Sequence, residues 1–267
     1  MRDVNKIVLR GVVSEASRTH TFDDGRKLVS LNVRTATLEP DDRGGERERQ
    51  AWHRVAVGGN RNVETAERLA PGDSVYVEGQ LRTRKYRNKE GDDVYATEVR
   101  ADIVRAPETA EPNVNRSIVL GNLGQTPELR SFPNFEVMNL TVATSESWTR
   151  RDGENSEETE WHRVSLFGDA ARRLEGQLEK GQRVLVTGFV QTRKYTDREG
   201  RERRATETQA HSVLGSGSSG RGGYGSTGRA SAQRSGTDSG ARAERKAPDA
   251  WEPSGVNTSD DVDEVPF

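Results

Sequence analysis

Two segments of this chain carry residue types from which a binding surface is built, and each occurs twice. AWHRV around Trp52 returns as EWHRV around Trp161, and the RTRKY that ends at Tyr86 returns ending at Tyr195. On an extended strand alternate residues share a face, so Arg84 lies beside Tyr86, and Arg193 beside Tyr195. With Lys85 and Lys194 these are groups that stack on flat rings and neutralise anions. A further cluster is chemically opposite. Asp260, Asp261, Asp263 and Glu264 lead into Val265-Pro266-Phe267, a run of charge followed by an apolar anchor and a terminal carboxylate. Such a tip suits a basic-rimmed apolar pocket on another protein.

Catalytic chemistry has no comparable signal. The chain contains no Cys, which removes disulfides, thiolate metal sites and a Cys nucleophile. His53 and His162 each stand beside a Trp without a second His or a Cys, the usual setting of a structural or interfacial ring. Glu157 and Glu158 sit in a polar stretch where solvation accounts for them, and no P-loop, H-E-x-x-H or G-x-S-x-G motif occurs. GSGSSG and GYGSTG satisfy G-x-G-x-x-G but neither follows a strand pattern. No catalytic residue, metal or cofactor is expected.

The elements that position these groups follow from the repeat, which has a shift of 109 residues at the two Trp-His-Arg segments. Asn5 and Gly11 match Asn115 and Gly121, and Thr97-Glu98 matches Thr206-Glu207. In the first unit Leu28 to Val33, Trp52 to Val57, Val75 to Leu81 and Tyr95 to Val99 read as short strands separated by turn residues. One helical stretch interrupts each unit, VETAERLA in the first and AARRLEGQLEK in the second. Five strands with one inserted helix suit the OB barrel, and the pattern alone also suits another small barrel.

With 31% apolar residues over 267, the chain fits two modest cores plus unfolded polymer better than one large core. The expected division is 1–105 for the first unit, 106–113 for a Pro-containing linker and 114–213 for the second unit. Residues 214–259 then form a disordered Gly/Ser-rich tail and 260–267 the acidic tip. A formal charge of -2 means that any site for an anionic polymer must be locally basic.

The second unit resembles the bacterial single-stranded DNA-binding protein family through NRSIVLGNLGQTPELR, VMNLTVATSESW, TEWHRVSLFG, VTGFVQTRKYTDREG and ATET, in the family's order. NKIVLRG, AWHRV, YVEGQLRTRKY and ATEV carry the resemblance in the first unit, which departs elsewhere, and DDVDEVPF resembles the family's tip. The resemblance implies an all-β chain of two tandem five-stranded OB-fold barrels, each with one short helix, followed by a disordered tail. It also implies sequence-tolerant binding of single-stranded DNA, by base stacking and phosphate contact, during replication, recombination and repair. Trp148, Trp161, Phe167 and Tyr195 then serve as stacking residues in the second unit, and Trp52 and Tyr86 in the first.

Trp148 corresponds to Leu38 and Phe167 to Gly58, so the first platform is expected to be thinner by two rings. Each is worth ~1–3 kcal/mol per stacked base, unless Phe22, Tyr95 or Arg side chains compensate. The family places the His53 and His162 position near subunit contacts, which makes both candidates for an oligomer interface. Its four folds per assembly make a homodimer the expected state. The tip is expected to recruit DNA-metabolism proteins. No signal-peptide core or membrane-length apolar run is present, so a cytoplasmic, nucleoid-associated protein is expected. A tandem OB-fold adaptor for proteins or RNA is the competing reading, and a nuclease subunit lacks the carboxylate set that it would need.

Overall fold

The structure, a computed structural model, describes residues 2–40, 45–87, 93–107, 113–150, 153–196 and 202–216. The tip from Asp260 to Phe267 lies outside the described residues, as do the side chains of Tyr86, Lys194 and Tyr195. Among the described residues, no helix is long and apolar enough to cross a membrane.

The first repeat runs β1 (Val4–Val13), β2 (Arg18–Thr21), β3 (Lys27–Pro40), β4 (Glu46–Val57), α1 (Asn60–Arg68), β5 (Ser74–Arg87) and β6 (Asp93–Arg105). The second runs β7 (Val114–Leu123), β8 (Leu129–Ser131), β9 (Glu136–Thr149), β10 (Asn155–Phe167), α2 (Gly168–Arg173), β11 (Arg183–Thr196) and β12 (Glu202–Gly215). Each closes a five-stranded barrel. In the first, β1 pairs with both β3 and β5, β5 with β6, and β6 returns parallel to β4 at Val55↔Val99. The second repeats this circuit, with its parallel closure at Val164↔Thr208.

The inward-pointing alternate residues make the cores. Ile7, Leu9 and Leu31 pack with Val55 and Val77 in the first barrel; Val119, Leu140, Leu166 and Val186 pack in the second. Matched glycines allow the strands to cross closely at the barrel corners. A Cβ on Gly11 would lie 2.1 Å from the Arg34 carbonyl oxygen, and one on Gly121 the same distance from that of Ala143.

Three features differ from the sequence reading. β2 and β8 add a short strand to each barrel; every residue of β2 is exposed, so no burial pattern marks it. Strands β3, β5, β9 and β11 are 14 residues long because their polar outer halves continue as hairpin arms, held by the cross-strand ladder without a core face. Helix α2 has six residues, ending well before Gly176, which adopts a φ of 70°.

The two barrels are joined edge to edge. β1 pairs antiparallel with β7 from Val4↔Leu120 to Arg10↔Val114, and one twelve-stranded sheet results. Ile7 faces Ser117, its own repeat counterpart, so a pseudo-two-fold axis passes through this pair. Val190 of the second barrel packs within the first barrel's core cluster. Asn115, buried in this seam, donates to the Val190 carbonyl at 2.8 Å and accepts from its amide at 2.9 Å. Asn5 does the same with Leu81, at 2.8 and 3.0 Å.

His53 and His162, expected at a contact between chains, lie instead beside this contact within one chain, each 3% exposed. Nε2 of His53 meets Thr35 Oγ1 at 2.9 Å and Asn115 Nδ2 at 3.4 Å, and Nε2 of His162 meets Thr144 Oγ1 at 2.8 Å.

Burial lowers the His53 pKa from 6.5 to about 4. Burial, and then the nearby Arg82 charge, lowers that of His162 to about 4 as well. The unfolded chain takes up these protons near the ordinary value. Both rings therefore stabilise the fold fully above that value, and the contribution is lost as pH falls towards the folded pKa. Urea melts should lose about 2 kcal/mol per ring between pH 7 and pH 5. The double variant His53→Gln, His162→Gln should lack most of that slope; equal slopes in the two proteins would contradict the assignment.

Candidate nucleic-acid interface

In Trp-His-Arg the strand period turns the middle residue inward and the outer two outward. His53 and His162 are buried accordingly, while Trp52 is 39% exposed and Trp161 half-buried. Arg54 and Arg163 share the outward face with these indoles, and Arg34 stands directly across from Trp52 on β3. The reading of the sequence passed over these three arginines, although the Trp-x-Arg alternation in both repeats marks two of them.

The two indoles sit differently for a local reason. Trp161 lies against Gly124, where an added Cβ would come within 2.5 Å of its Cζ3. The first repeat has Ser14 at the matching position, and Trp52 stands further out.

Trp148, on the arm of β9, is 44% exposed, and Phe167, at the end of β10, is 38% exposed. Phe167 belongs to a larger aromatic group that the sequence reading missed. Phe132 and Phe135 stack at 4.7 Å between centroids, and Phe135 lies 6.1 Å from Phe167. The signal was present in SFPNF, where a Pro-Asn turn brings two phenylalanines together.

In the first repeat Phe22 takes the place of Phe132, and Arg26 covers its ring at 5.7 Å where the second repeat has Phe135. Tyr95 is 65% exposed, with Lys85 over its ring at 5.9 Å. The first platform thus presents Trp52, Phe22 and Tyr95, and is fuller than its matched positions alone suggest.

The RTRKY cations are arranged more narrowly than expected. Arg84 pairs with Glu98 at 3.3 Å and Arg193 with Glu207 at 3.0 Å, and both carboxylates are largely buried. This gives the repeated Thr-Glu motif a role: a buried glutamate on β6 or β12 fixes a guanidinium on the neighbouring strand. Beside it, Thr83 and Thr97 hydrogen-bond at 3.0 Å, as Thr192 and Thr206 do at 2.8 Å. Lys85 is exposed beside Arg84, whereas the side chains of Tyr86, Lys194 and Tyr195 lie outside the described residues. No group of acidic or histidine side chains among the described residues is arranged to hold a metal ion.

A family model described as the single-strand binding protein family matches residues 4–107 and again 114–214, most of the chain and both repeats. The chain belongs to the single-strand binding protein family. Single-stranded DNA binding is the activity of that family and of this chain.

Among solved structures, the wild-type single-stranded DNA binding protein from Thermus aquaticus is 24% identical, with a TM-score of 0.65 over 85% of this chain and 98% of that one. A deletion mutant of the same protein is 24% identical, with a TM-score of 0.66 over 80% and 95%. The likeness extends the shared fold across both barrels.

The contact of Trp161 with Gly124 gives a direct test. Gly124→Ala should displace the indole, shift its NH resonance and weaken oligo-dT binding by roughly fivefold or more, within the range of one stacked base. A shifted resonance with unchanged affinity would show that this ring takes no part.

Proposed function

We propose that both barrels together form one sequence-tolerant surface for single-stranded DNA, protecting exposed strands during replication, recombination and repair. The observation that carries this reading is the set of rings left exposed on corresponding strands of both repeats. Trp52, Trp148 and Phe167 expose large apolar area, with Arg34 across from Trp52, and solvated side chains gain nothing from that. Bases stack on such rings whatever their identity, while cations along the strand meet phosphate.

Oligo-dT titrated against tryptophan fluorescence at two salt concentrations, alongside duplex DNA and RNA, tests the proposal. Strong quenching selective for dT and weakened by salt is expected. Trp148→Ala with Phe167→Ala should cost ~2–6 kcal/mol in binding, the value of two stacked bases. Equal affinity for duplex, or no loss in that double variant, would overturn the reading.

Two finer parts of the proposal concern partners. The acidic tip, Asp260 to Phe267, supplies charge and an apolar anchor for recruiting DNA-metabolism proteins, and such a protein would work in association with the nucleoid. Two chains pair to bring four barrels together. The outer face of β1, β7 and β11 supports this pairing, for it presents Val8, Leu120 and Leu185 around Ile118, which is 39% exposed. Sedimentation equilibrium should give twice the chain mass, and Ile118→Asp should halve it; a monomeric mass for the unaltered protein would remove the dimer.

A further inference from the structure

The pseudo-two-fold seam raises a problem of selectivity. Each barrel offers an edge of the same shape, so barrel one of one chain can meet barrel one of another, and chains can link into open strings. The side chains flanking the seam differ between the repeats in a way that bears on this.

On the second barrel Glu146 and Glu158 stand directly opposite each other on β9 and β10. Two carboxylates at such a cross-strand site repel. Arg82, from the first barrel and only 12% exposed, reaches across the seam and pairs with both, with Glu158 at 3.3 Å. The first barrel's counterparts of this pair are Thr37 and Arg49, likewise opposite each other. Arg49 crosses the seam in the reverse direction, donating to Gln191 at 3.2 Å and Gln209 at 3.4 Å and covering Phe189 at 5.1 Å.

Positions 49 and 158 correspond in the repeat, as do 82 and 191, and 100 and 209. Unlike barrels therefore bring Glu158 to Arg82, and Arg49 to two neutral amides. Two first barrels would bring Arg49 against Arg82 and Arg100, twice over. Two second barrels would leave Glu146 and Glu158 facing Gln191 with no cation.

We propose that the seam is keyed by charge, so that a first barrel accepts a second barrel and rejects another first barrel. Excluding that one like pair suffices, because every chain carries one barrel of each kind. A pair of second barrels would strand two first barrels with unpaired edges. The seam thus joins unlike barrels, and strings built from like pairs are closed off.

The chain's lack of Cys permits a clean test in the full-length protein, with a protease site placed between residues 107 and 113 so that the barrels can exchange. Lys6 faces Ile118 in the seam, and by the repeat's symmetry it would face Val8 of a second first barrel. After cleavage, Lys6→Cys with Ile118→Cys should crosslink first to second barrels in high yield. Chains carrying Lys6→Cys mixed with chains carrying Val8→Cys should give little first-to-first product.

Arg49→Glu places a carboxylate where a second copy offers Arg82 and Arg100, and should raise that product by roughly tenfold, since like-charge contact costs several kcal/mol. The Lys6–Ile118 crosslink in the same background reports that the barrels still fold. Arg49→Gln, a milder change, is read in the same way should Arg49→Glu lose both crosslinks. First-to-first product as abundant as first-to-second in the unaltered seam would overturn the proposal. So would no rise in either Arg49 variant while the Lys6–Ile118 crosslink persists.

Discussion

The antiparallel pairing of β1 with β7 is the constraint on which the remaining structure depends. A closed OB barrel still leaves part of its first strand with backbone donors and acceptors facing outward, and an exposed edge invites pairing. Here the edge of one repeat satisfies that of the other. Pairing by hydrogen bonds fixes register, and a slip of one residue would turn Ile7 and Val119 out of their cores. Buried polar groups then make sense: Asn115 and His53 meet across the seam, and a barrel parted from its neighbour would expose them.

In the proposed function the ring-bearing strands of both barrels serve one strand of DNA, and the repeats diverge in how they do so. The second barrel keeps an aromatic group at Phe132, Phe135 and Phe167. The first pairs single rings with cations, Arg26 on Phe22 and Lys85 on Tyr95. Stacking suits any base, and a cation over a ring adds charge at the same place. The RTRKY arginines serve the fold as well as any ligand, because Glu98 and Glu207 hold them across the sheet.

Much of this was legible in the chain. Alternation of apolar residues marked the barrel strands, and the matched Trp-His-Arg and Arg-Thr-Arg-Lys-Tyr segments pointed to the exposed aromatics and the family. What escaped has a physical pattern. The described residues in the long arms of β3, β5, β9 and β11 bury no apolar face, so periodicity cannot register them. Phe132 and Phe135 meet Phe167 only through the tertiary path of β9 and β10. The two histidines lie buried beside a contact between repeats, and no local pattern distinguishes such a contact from one between chains. Pairings such as Arg82 with Glu158 join residues far apart in sequence whose charges look like ordinary solvated surface.

The most direct measurement is hydrogen exchange at the amides of Lys6 to Arg10 and Arg116 to Leu120 that point across the seam. If the two barrels form one continuous sheet, these amides exchange as slowly as those of the barrel cores, through global unfolding. Exchange as fast as that of a free sheet edge, with the cores still protected, would mean that the barrels move independently and would contradict the account.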